Sequence, residues 1–113
     1  MFQNDFGKFY FGDYDLTVLI DALKHFGFRV QQINYLDFEI FRQSHWDSYF
    51  GILMNINRHH WFSIKRINEI YYNLDSQLTK PMFIGKKDDL IRYLIDLIQT
   101  NSHVYIFAVI FQS

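Results

Sequence analysis

The chain has 113 residues, half of them hydrophobic and a fifth aromatic, with a formal net charge of −1 and no cysteine. This length favours a single domain over 1–113, the apolar content argues against disorder, and the near-neutral charge gives no electrostatic case for nucleic-acid or anionic-membrane partners. The lack of cysteine excludes disulfides, thiolate zinc sites and a cysteine nucleophile within these residues, and no apolar run approaches the roughly 20 residues that span a bilayer.

The first residues, 1–14, are aromatic and interrupted by glycines, which predicts a loop or an extended arm. They lack the basic start and apolar core of a signal peptide, so we expect the protein in the cytosol or the nucleus. A helix is predicted over 16–26, where apolar residues recur at intervals of three and four. Asp15 is placed to cap this helix, and Gly27 follows it where a left-handed C-cap is favoured.

Five strands are predicted from runs of β-branched and aromatic residues, over 28–35, 49–55, 61–67, 69–74 and 103–111. The last is apolar on both faces, which favours a central position. Between these strands we predict a helical turn or irregular segment over 36–48 and a loop over 77–85. A second helix is predicted over 87–100. This order predicts an α+β fold, with a mostly antiparallel sheet of about five strands and two helices.

The segment 58–76 predicts a β-hairpin that turns at Asn68. His60 stands at the start of its first strand and Asp75 at the end of the second, and such ends lie side by side in an antiparallel pair. An imidazole held by a carboxylate is the base half of a nucleophilic triad, so His60 and Asp75 are the candidate catalytic residues. Spacing alone nevertheless favours a structural pair over a catalytic one.

The other histidines give weaker signals. His59 and His60 are adjacent, so on a strand they point to opposite faces and do not easily chelate one metal. His25, His45 and His103 have no partner in the sequence pattern and are expected at the surface or satisfied within the fold. We therefore predict no metal site and no cofactor.

Several stretches resemble the Josephin domain of papain-like cysteine deubiquitinases. The sequence FGDYDLTVLIDALKHFGFRV resembles the segment that opens the second half of that domain, where a Gly-Asn-Tyr-Asp-like motif starts a helix. Three later stretches of this chain resemble the strands that follow that helix in the Josephin domain: FGILMNI, RHHWFSIKRI and EIYYNLDSQL. The resemblance runs from about Phe11 to Val109, and it looks closer to the short, free-standing Josephins than to the ataxin type, whose third triad member is usually Asn.

The resemblance implies the C-terminal half of a papain-like cysteine protease fold, with ubiquitin or ubiquitinated proteins as partners. It makes His60 the general base and Asp75 the residue that orients the imidazole. Trp61 and Asn73 are implied as supporting residues. Trp61 would shield the site from water, although core packing is the alternative for this residue. Strand alternation predicts that Asn73 and Asp75 share one face, with Tyr72 and Leu74 packed inward.

The sequence departs from the family at the nucleophile. The family's cysteine, and the glutamine that helps to form its oxyanion hole, belong to a segment upstream of the Gly-Asp-Tyr-Asp motif. No cysteine occurs here, and neither Ser63 nor Ser76 sits in a nucleophile elbow. We therefore expect a partial Josephin-like domain without the nucleophile-bearing helical segment, inactive alone and prone to self-association through an exposed apolar sheet face.

Two alternatives remain open from the sequence. The second reading, after the His/Asp half of a Josephin-like deubiquitinase that hydrolyses ubiquitin isopeptide bonds, is a non-catalytic ubiquitin-binding or assembly module that keeps the fold without the chemistry. The chain is also compatible with a small α+β domain in which His60 and Asp75 are only a structural pair.

Overall fold

The computed structural model describes residues 10–11 and 14–112, with side chains from Leu16 onward. The strands are β1 (Tyr10–Phe11), β2 (Tyr14–Asp15), β3 (Phe28–Gln32), β4 (Gly51–Ile56), β5 (His60–Ile67), β6 (Ile70–Asn73), β7 (Met82–Gly85) and β8 (Val104–Phe111). The helices are α1 (Leu16–His25), α2 (Phe38–Arg42) and α3 (Lys87–Thr100), with a 3₁₀ turn at Trp46–Ser48.

Six of these strands form one antiparallel sheet in the order β3-β8-β4-β5-β6-β7. β8 lies between β3 and β4, pairing Val109 with Val30 and Ala108 with Ile52, which confirms the central position predicted for it. The predicted α+β class is confirmed, although the sheet has six strands rather than about five and a third, short helix is present. None of the described helices is long and apolar enough to cross a bilayer.

The extra strand, β7, corrects the loop predicted over 77–85. β7 occupies the edge of the sheet and pairs with β6, Met82 lying opposite Asn73. Met82 and Phe83 are both exposed, so no alternation of buried residues marks the strand. Pro81 directly precedes it, where a missing backbone donor is tolerated at an edge. The pairing partner, and not the local sequence, makes this segment a strand.

Both predicted helices occur at their predicted positions. α1 ends at His25, one residue before the predicted end, and Gly27 follows with φ of 88°. Gly27 donates its N–H to the carbonyl of Lys24 at 3.0 Å, which confirms a left-handed C-cap. The cap predicted at Asp15 involves a side chain outside those that the structure describes.

The hairpin of β5 and β6 turns through two residues. Ile67 pairs with Ile70, so Asn68 and Glu69 form the loop, with φ of 51° and 69°. Two successive residues with positive φ are typical of a type I′ turn, whose twist matches that of the flanking strands. The turn predicted at Asn68 is confirmed, and this tight connection sets the register of the whole hairpin.

Helices cover both faces of the sheet. On one face, α2 and α3 pack over the main core, which includes Phe41, Trp46, Ile52, Met54, Ile64, Leu90, Leu94 and Ile106. On the other face, α1 packs through Leu16 against Phe107. Because successive residues of a strand point to opposite faces, Ile106 and Phe107 belong to different clusters. We refer to these surfaces as the α3 face and the α1 face.

Candidate active site

The hairpin brings the two candidate catalytic residues together. Ile64 pairs with Asn73, and beyond this pair Leu74 still donates its N–H to the carbonyl of Ser63 at 2.8 Å. Continuing the register by two residues on each strand places Asp75 opposite Phe62. His60, two residues further along β5, then lies diagonal to Asp75 on the same face of the sheet.

His60 and Asp75 form a hydrogen bond between the Nε2 atom of the imidazole and the Oδ2 atom of the carboxylate. Their predicted proximity is therefore confirmed. One-third of the His60 side chain is exposed, against 11% of that of Asp75. The imidazole ring also packs on Phe62, with the ring centroids 5.5 Å apart. The carboxylate is thus largely shielded, whereas the imidazole is reachable from solvent.

This contact determines which ring nitrogen is available for chemistry. A carboxylate accepts a hydrogen bond, so Asp75 favours the tautomer in which Nε2 carries the proton. The Nδ1 atom is then the free base, and no residue in the described part of the chain forms a hydrogen bond to it. A reacting group that approached from solvent would meet a basic nitrogen whose orientation is already fixed.

The second oxygen of Asp75 is held by the turn that follows β6. Gln77 donates its N–H to Oδ1 of Asp75 at 2.9 Å, and Leu78 donates its N–H to the carbonyl of Asp75 at 3.0 Å. The carboxylate therefore has one oxygen on a backbone donor and the other on the imidazole. Both carboxylate oxygens of Asp75 therefore have a hydrogen-bond partner, which favours the orientation that faces the ring.

Asn73 contacts Asp75 from the strand side. Its Oδ1 atom accepts the N–H of Asp75 at 2.8 Å, and its Nδ2 atom donates to the hydroxyl of Tyr93 on α3 at 3.1 Å. Asn73 is buried, with 6% of its surface exposed, as is Tyr71 on the same face. Asn73 and Asp75 do share a face, but the prediction that the opposite face is the inward one is wrong, because α3 covers the side that carries the polar residues.

Trp61 lies on the α1 face, opposite the imidazole. It belongs to the cluster of Leu16 and Phe107, and its ring centroid is 6.1 Å from that of Phe107. This position follows from its place in β5 directly after His60, since neighbouring strand residues point to opposite sides. The packing corresponds to the core alternative and does not support Trp61 as a wall between His60 and water.

The remaining histidines and serines do not join this group. His25, His45, His59 and His103 are all exposed. Ser63 and Ser76 line a groove on the α1 face. Within the described ranges, no three histidine or carboxylate side chains are grouped so that they could hold a metal ion.

Sequence reasoning missed Tyr93. Its pKa is raised above the ordinary 10.0, chiefly by burial and further by the negative charge of Asp75, while the hydrogen bond from Asn73 acts in the opposite direction. Tyr93 sits three residues after Leu90 in the apolar stripe of α3, where an aromatic residue predicts only packing. The one sequence feature that could have indicated a polar role is its hydroxyl, since the rest of the stripe consists of Leu and Ile.

Comparison with known proteins decides the family. The sequence profile of the Josephin family matches residues 3–109, nearly the whole chain. The chain belongs to the Josephin family. The resemblance to that family, inferred above from motifs between about Phe11 and Val109, is thereby confirmed.

Individual Josephin relatives support the same assignment. The chain is 24% identical over 112 residues to a Josephin-like protein of Drosophila melanogaster, which covers 84% of this chain and 48% of the relative. It is 31% identical over 98 residues to a Josephin-like protein of Arabidopsis thaliana, and this match covers 75% of this chain and 26% of the relative. A 45-residue stretch is 38% identical to Josephin-2 of Mus musculus. The chain spans about half, or less, of the length of these relatives.

Proposed function

We propose that this chain supplies the general base and the orienting acid of a thiol-dependent deubiquitinase, which hydrolyses isopeptide bonds at the ubiquitin C-terminus. His60 is the base and Asp75 orients it. The observation that carries this proposal is the bond from His60 Nε2 to a shielded carboxylate, which leaves Nδ1 without a hydrogen-bond partner among the described residues, on a side chain that is one-third exposed. Membership of the Josephin family supports the reaction class.

The proposed chemistry follows from the geometry of the pair. His60 Nδ1 takes the proton of a cysteine thiol, and the thiolate attacks the carbonyl carbon of the isopeptide bond. The imidazolium, stabilised by Asp75, then gives its proton to the departing lysine amine. A water molecule, deprotonated by the same nitrogen, hydrolyses the thioester, which releases the ubiquitin carboxylate and restores the thiol.

The thiol has to come from outside these 113 residues, since they contain no cysteine. The short coverage of the relatives, at most about half, is consistent with a nucleophile carried on another segment. The chain by itself is then expected to be inactive. The acid and base of a triad contribute little without the nucleophile that they serve.

The test joins the chain to the nucleophile-bearing segment of a Josephin-like relative and measures cleavage of ubiquitin that carries a fluorogenic C-terminal amide. We expect cleavage by the fusion and none by the chain alone. His60→Ala should reduce kcat by about a thousand-fold or more. His59→Ala is the matched control, because this neighbouring exposed histidine lies outside the pair and its loss should leave kcat unchanged.

A fusion that cleaves ubiquitin equally well after His60→Ala would contradict the proposed role of the imidazole. Near-ultraviolet circular dichroism of each fusion separates loss of chemistry from loss of fold. A fusion that folds but never cleaves would contradict the enzymatic reading itself.

A second candidate function is a non-catalytic ubiquitin-binding or assembly module. The missing thiol favours it, as do the exposed aromatic residues at the end of the sheet far from His60. There Phe28 lies 4.5 Å from Phe50 and 5.5 Å from Phe111 between ring centroids, and both partners are about half exposed or more. An apolar surface of this kind is suited to a protein partner or to self-association.

Titration of the isotope-labelled chain with ubiquitin distinguishes the two functions. A binding module should bind ubiquitin with the same affinity after His60→Ala and should stay inactive when joined to a nucleophile-bearing segment. Sedimentation at rising concentration tests self-association, and Phe111→Ser should shift the chain toward monomer if the aromatic patch mediates it.

A further inference from the structure

A continuous series of hydrogen bonds connects α3 to His60. The hydroxyl of Tyr93 accepts the Nδ2–H of Asn73 at 3.1 Å, the Oδ1 atom of Asn73 accepts the N–H of Asp75 at 2.8 Å, and Asp75 accepts from His60. The four side chains lie on the α3 face, at the end of the hairpin where the strand pairing stops. The helix is therefore connected to the candidate acid by hydrogen bonds through Asn73.

Asn73 depends on Tyr93 for its orientation. Its side chain is buried, and in the part of the chain that the structure describes, its amide has one partner at the NH₂ end and one at the carbonyl end. The hydroxyl of Tyr93 accepts from the NH₂ end, so the carbonyl end is directed at the backbone of Asp75. Without that hydroxyl, the buried NH₂ group has no acceptor, which costs free energy. Rotation of the amide toward another acceptor lowers that cost.

The other restraints on Asp75 come from an exposed turn. Gln77 and Leu78 donate to Asp75, and both are exposed, as are the residues up to Lys80. Hydrogen bonds in an exposed turn open readily on their own. Among the described hydrogen bonds to Asp75, the one to Asn73 is made by a buried side chain.

We propose that Tyr93 is a positioning residue, which holds the acid of the His60–Asp75 pair in place by fixing the amide of Asn73. This inference rests on the proposed function for its catalytic meaning, but its structural content concerns the chain alone. Tyr93 touches neither the imidazole nor a reacting atom. It acts through Asn73 on the position of Asp75, and through Asp75 on the tautomer of His60.

The protonation state of Tyr93 suits this role. Burial and the nearby charge of Asp75 raise the pKa of Tyr93 above 10.0, so the hydroxyl stays neutral at physiological pH. The hydrogen bond from Asn73 uses the hydroxyl as an acceptor, and the neutral group places no second negative charge beside Asp75.

The first test uses the 113-residue chain and needs no nucleophile. Two readouts are followed by nuclear magnetic resonance: hydrogen exchange of the Asp75 amide and the ¹⁵N shifts that report the tautomer of His60. Tyr93→Phe should speed exchange of that amide by about ten-fold, as expected when one hydrogen bond is lost, and should reduce the excess of the Nε2–H tautomer. Asn73→Ala removes the next member of the same series and should also speed exchange of the Asp75 amide and reduce the excess of the Nε2–H tautomer.

Tyr71→Phe is the matched control. Tyr71 is buried on the same face, two residues from Asn73, and its hydroxyl donates to the carbonyl of Trp46 at 3.1 Å, away from Asp75. The control should lower stability without changing the tautomer of His60. If Tyr93→Phe leaves the exchange rate of the Asp75 amide and the tautomer of His60 as they are in the wild-type chain, or if Tyr71→Phe changes them equally, Tyr93 has no positioning role.

The second test uses the active fusion described above. Tyr93→Phe should lower kcat by about ten-fold with KM nearly unchanged, because the substrate still binds but the base is less well oriented. A wild-type fusion that does not cleave ubiquitin counts against the proposed function, and the result in the isolated chain still decides the positioning role. A fully active Tyr93→Phe fusion counts against this inference alone.

Discussion

His60 and Asp75 meet beyond the regular pairing of their hairpin. The last residue pair at this end of the hairpin is Ile64 with Asn73. His60 lies four residues before Ile64, and Asp75 lies two residues after Asn73. The contact is therefore not part of the sheet ladder. It depends on the type I′ turn at the far end of the hairpin, which sets the register, and on the local bonds around Asp75.

Removing the acceptor should release the tautomer of His60. In the isolated chain, Asp75→Ala should abolish the slowly exchanging Nε2–H resonance of the imidazole, because no carboxylate oxygen remains to accept it. Asp75→Asn should keep that resonance, since an amide oxygen also accepts a hydrogen bond. The ¹⁵N and ¹H spectra of the imidazoles measure both outcomes, with the exposed His25 as an internal reference. Loss of the resonance in both variants would show that the negative charge, not the acceptor, selects the tautomer.

The hairpin turn offers a stabilising substitution. Glu69 has φ of 69°, which strains a residue with a side chain, and type I′ turns favour glycine at this place. We expect Glu69→Gly to raise the free energy of unfolding by about 0.5–1 kcal/mol, the relief of strain being partly offset by the entropy of glycine. Urea unfolding measures the change. Glu39→Gly in α2 is the control and should destabilise the chain by up to about 1 kcal/mol, because glycine disfavours a helix.

Gly85 should resist substitution more strongly than Gly27. Gly85 has φ of 133°, and a Cβ atom added there would lie 2.7 Å from the Cβ atom of Asp89. Asp89 would then have to give up the hydrogen bond that its carboxylate accepts from the N–H of Lys86 at the start of α3. We expect Gly85→Ala to cost about 2–4 kcal/mol of unfolding free energy, from the lost cap together with the backbone strain.

Gly27→Ala measures the cost of a positive φ without a close contact to the added Cβ atom. Gly27 also has positive φ, but an added Cβ atom would meet its nearest neighbour, a ring carbon of Phe111, at an ordinary 3.7 Å. Its expected cost is about 1 kcal/mol, from the left-handed conformation alone. Equal losses for the two alanine variants in urea unfolding would argue that Asp89 moves aside freely and does not stabilise α3.

Stability should fall in alkaline solution. Burial raises the pKa of Tyr35, Tyr71 and Tyr93 above the ordinary 10.0. At a pH between 10.0 and these raised values, the folded state binds more protons than the unfolded state, so the free energy of unfolding decreases as the pH rises. Below about pH 9 the three tyrosines are neutral in both states and contribute no slope.

Urea unfolding at about pH 8 and about pH 11 tests this dependence. Tyr93→Phe should show a smaller decrease between the two values than the wild-type chain, because one of the raised groups is gone. The rest of the chain is identical in the two proteins, so its contribution cancels in the difference. An equal decrease in the variant would mean that Tyr93 ionises alike in the folded and unfolded chains.

Regular periodicity explains which parts of the fold were predictable. α1 and α3 have apolar residues at helical intervals, and β8 is apolar on both faces, so their existence and the central place of β8 follow from local patterns. β7 has no such pattern, because Met82 and Phe83 are exposed and the strand is defined by its partner. An edge strand of this kind is a property of the tertiary structure.

The candidate site was predictable to the extent that it is local to one hairpin. The proximity of His60 and Asp75 follows from two strand ends joined by a turn at Asn68. Which face of β6 points inward could not be predicted from the sequence. Helices cover both sides of the sheet, and strand alternation alone does not say which side carries the polar residues. Tyr93 is 18 positions from Asp75 and on another element, so its link to Asn73 exists only once α3 has docked.

The place of β8 in the sheet has a consequence for how the protein is made on the ribosome. β8 is translated after every other strand of the sheet, yet it alone joins β3 to β4. The hairpins of β4, β5 and β6 can form as they leave the exit tunnel, but α1 and β3 must wait, without a pairing partner, until residues 104–111 have emerged. Completion of the sheet, and with it burial of Leu16 against Phe107, therefore has to follow the emergence of β8.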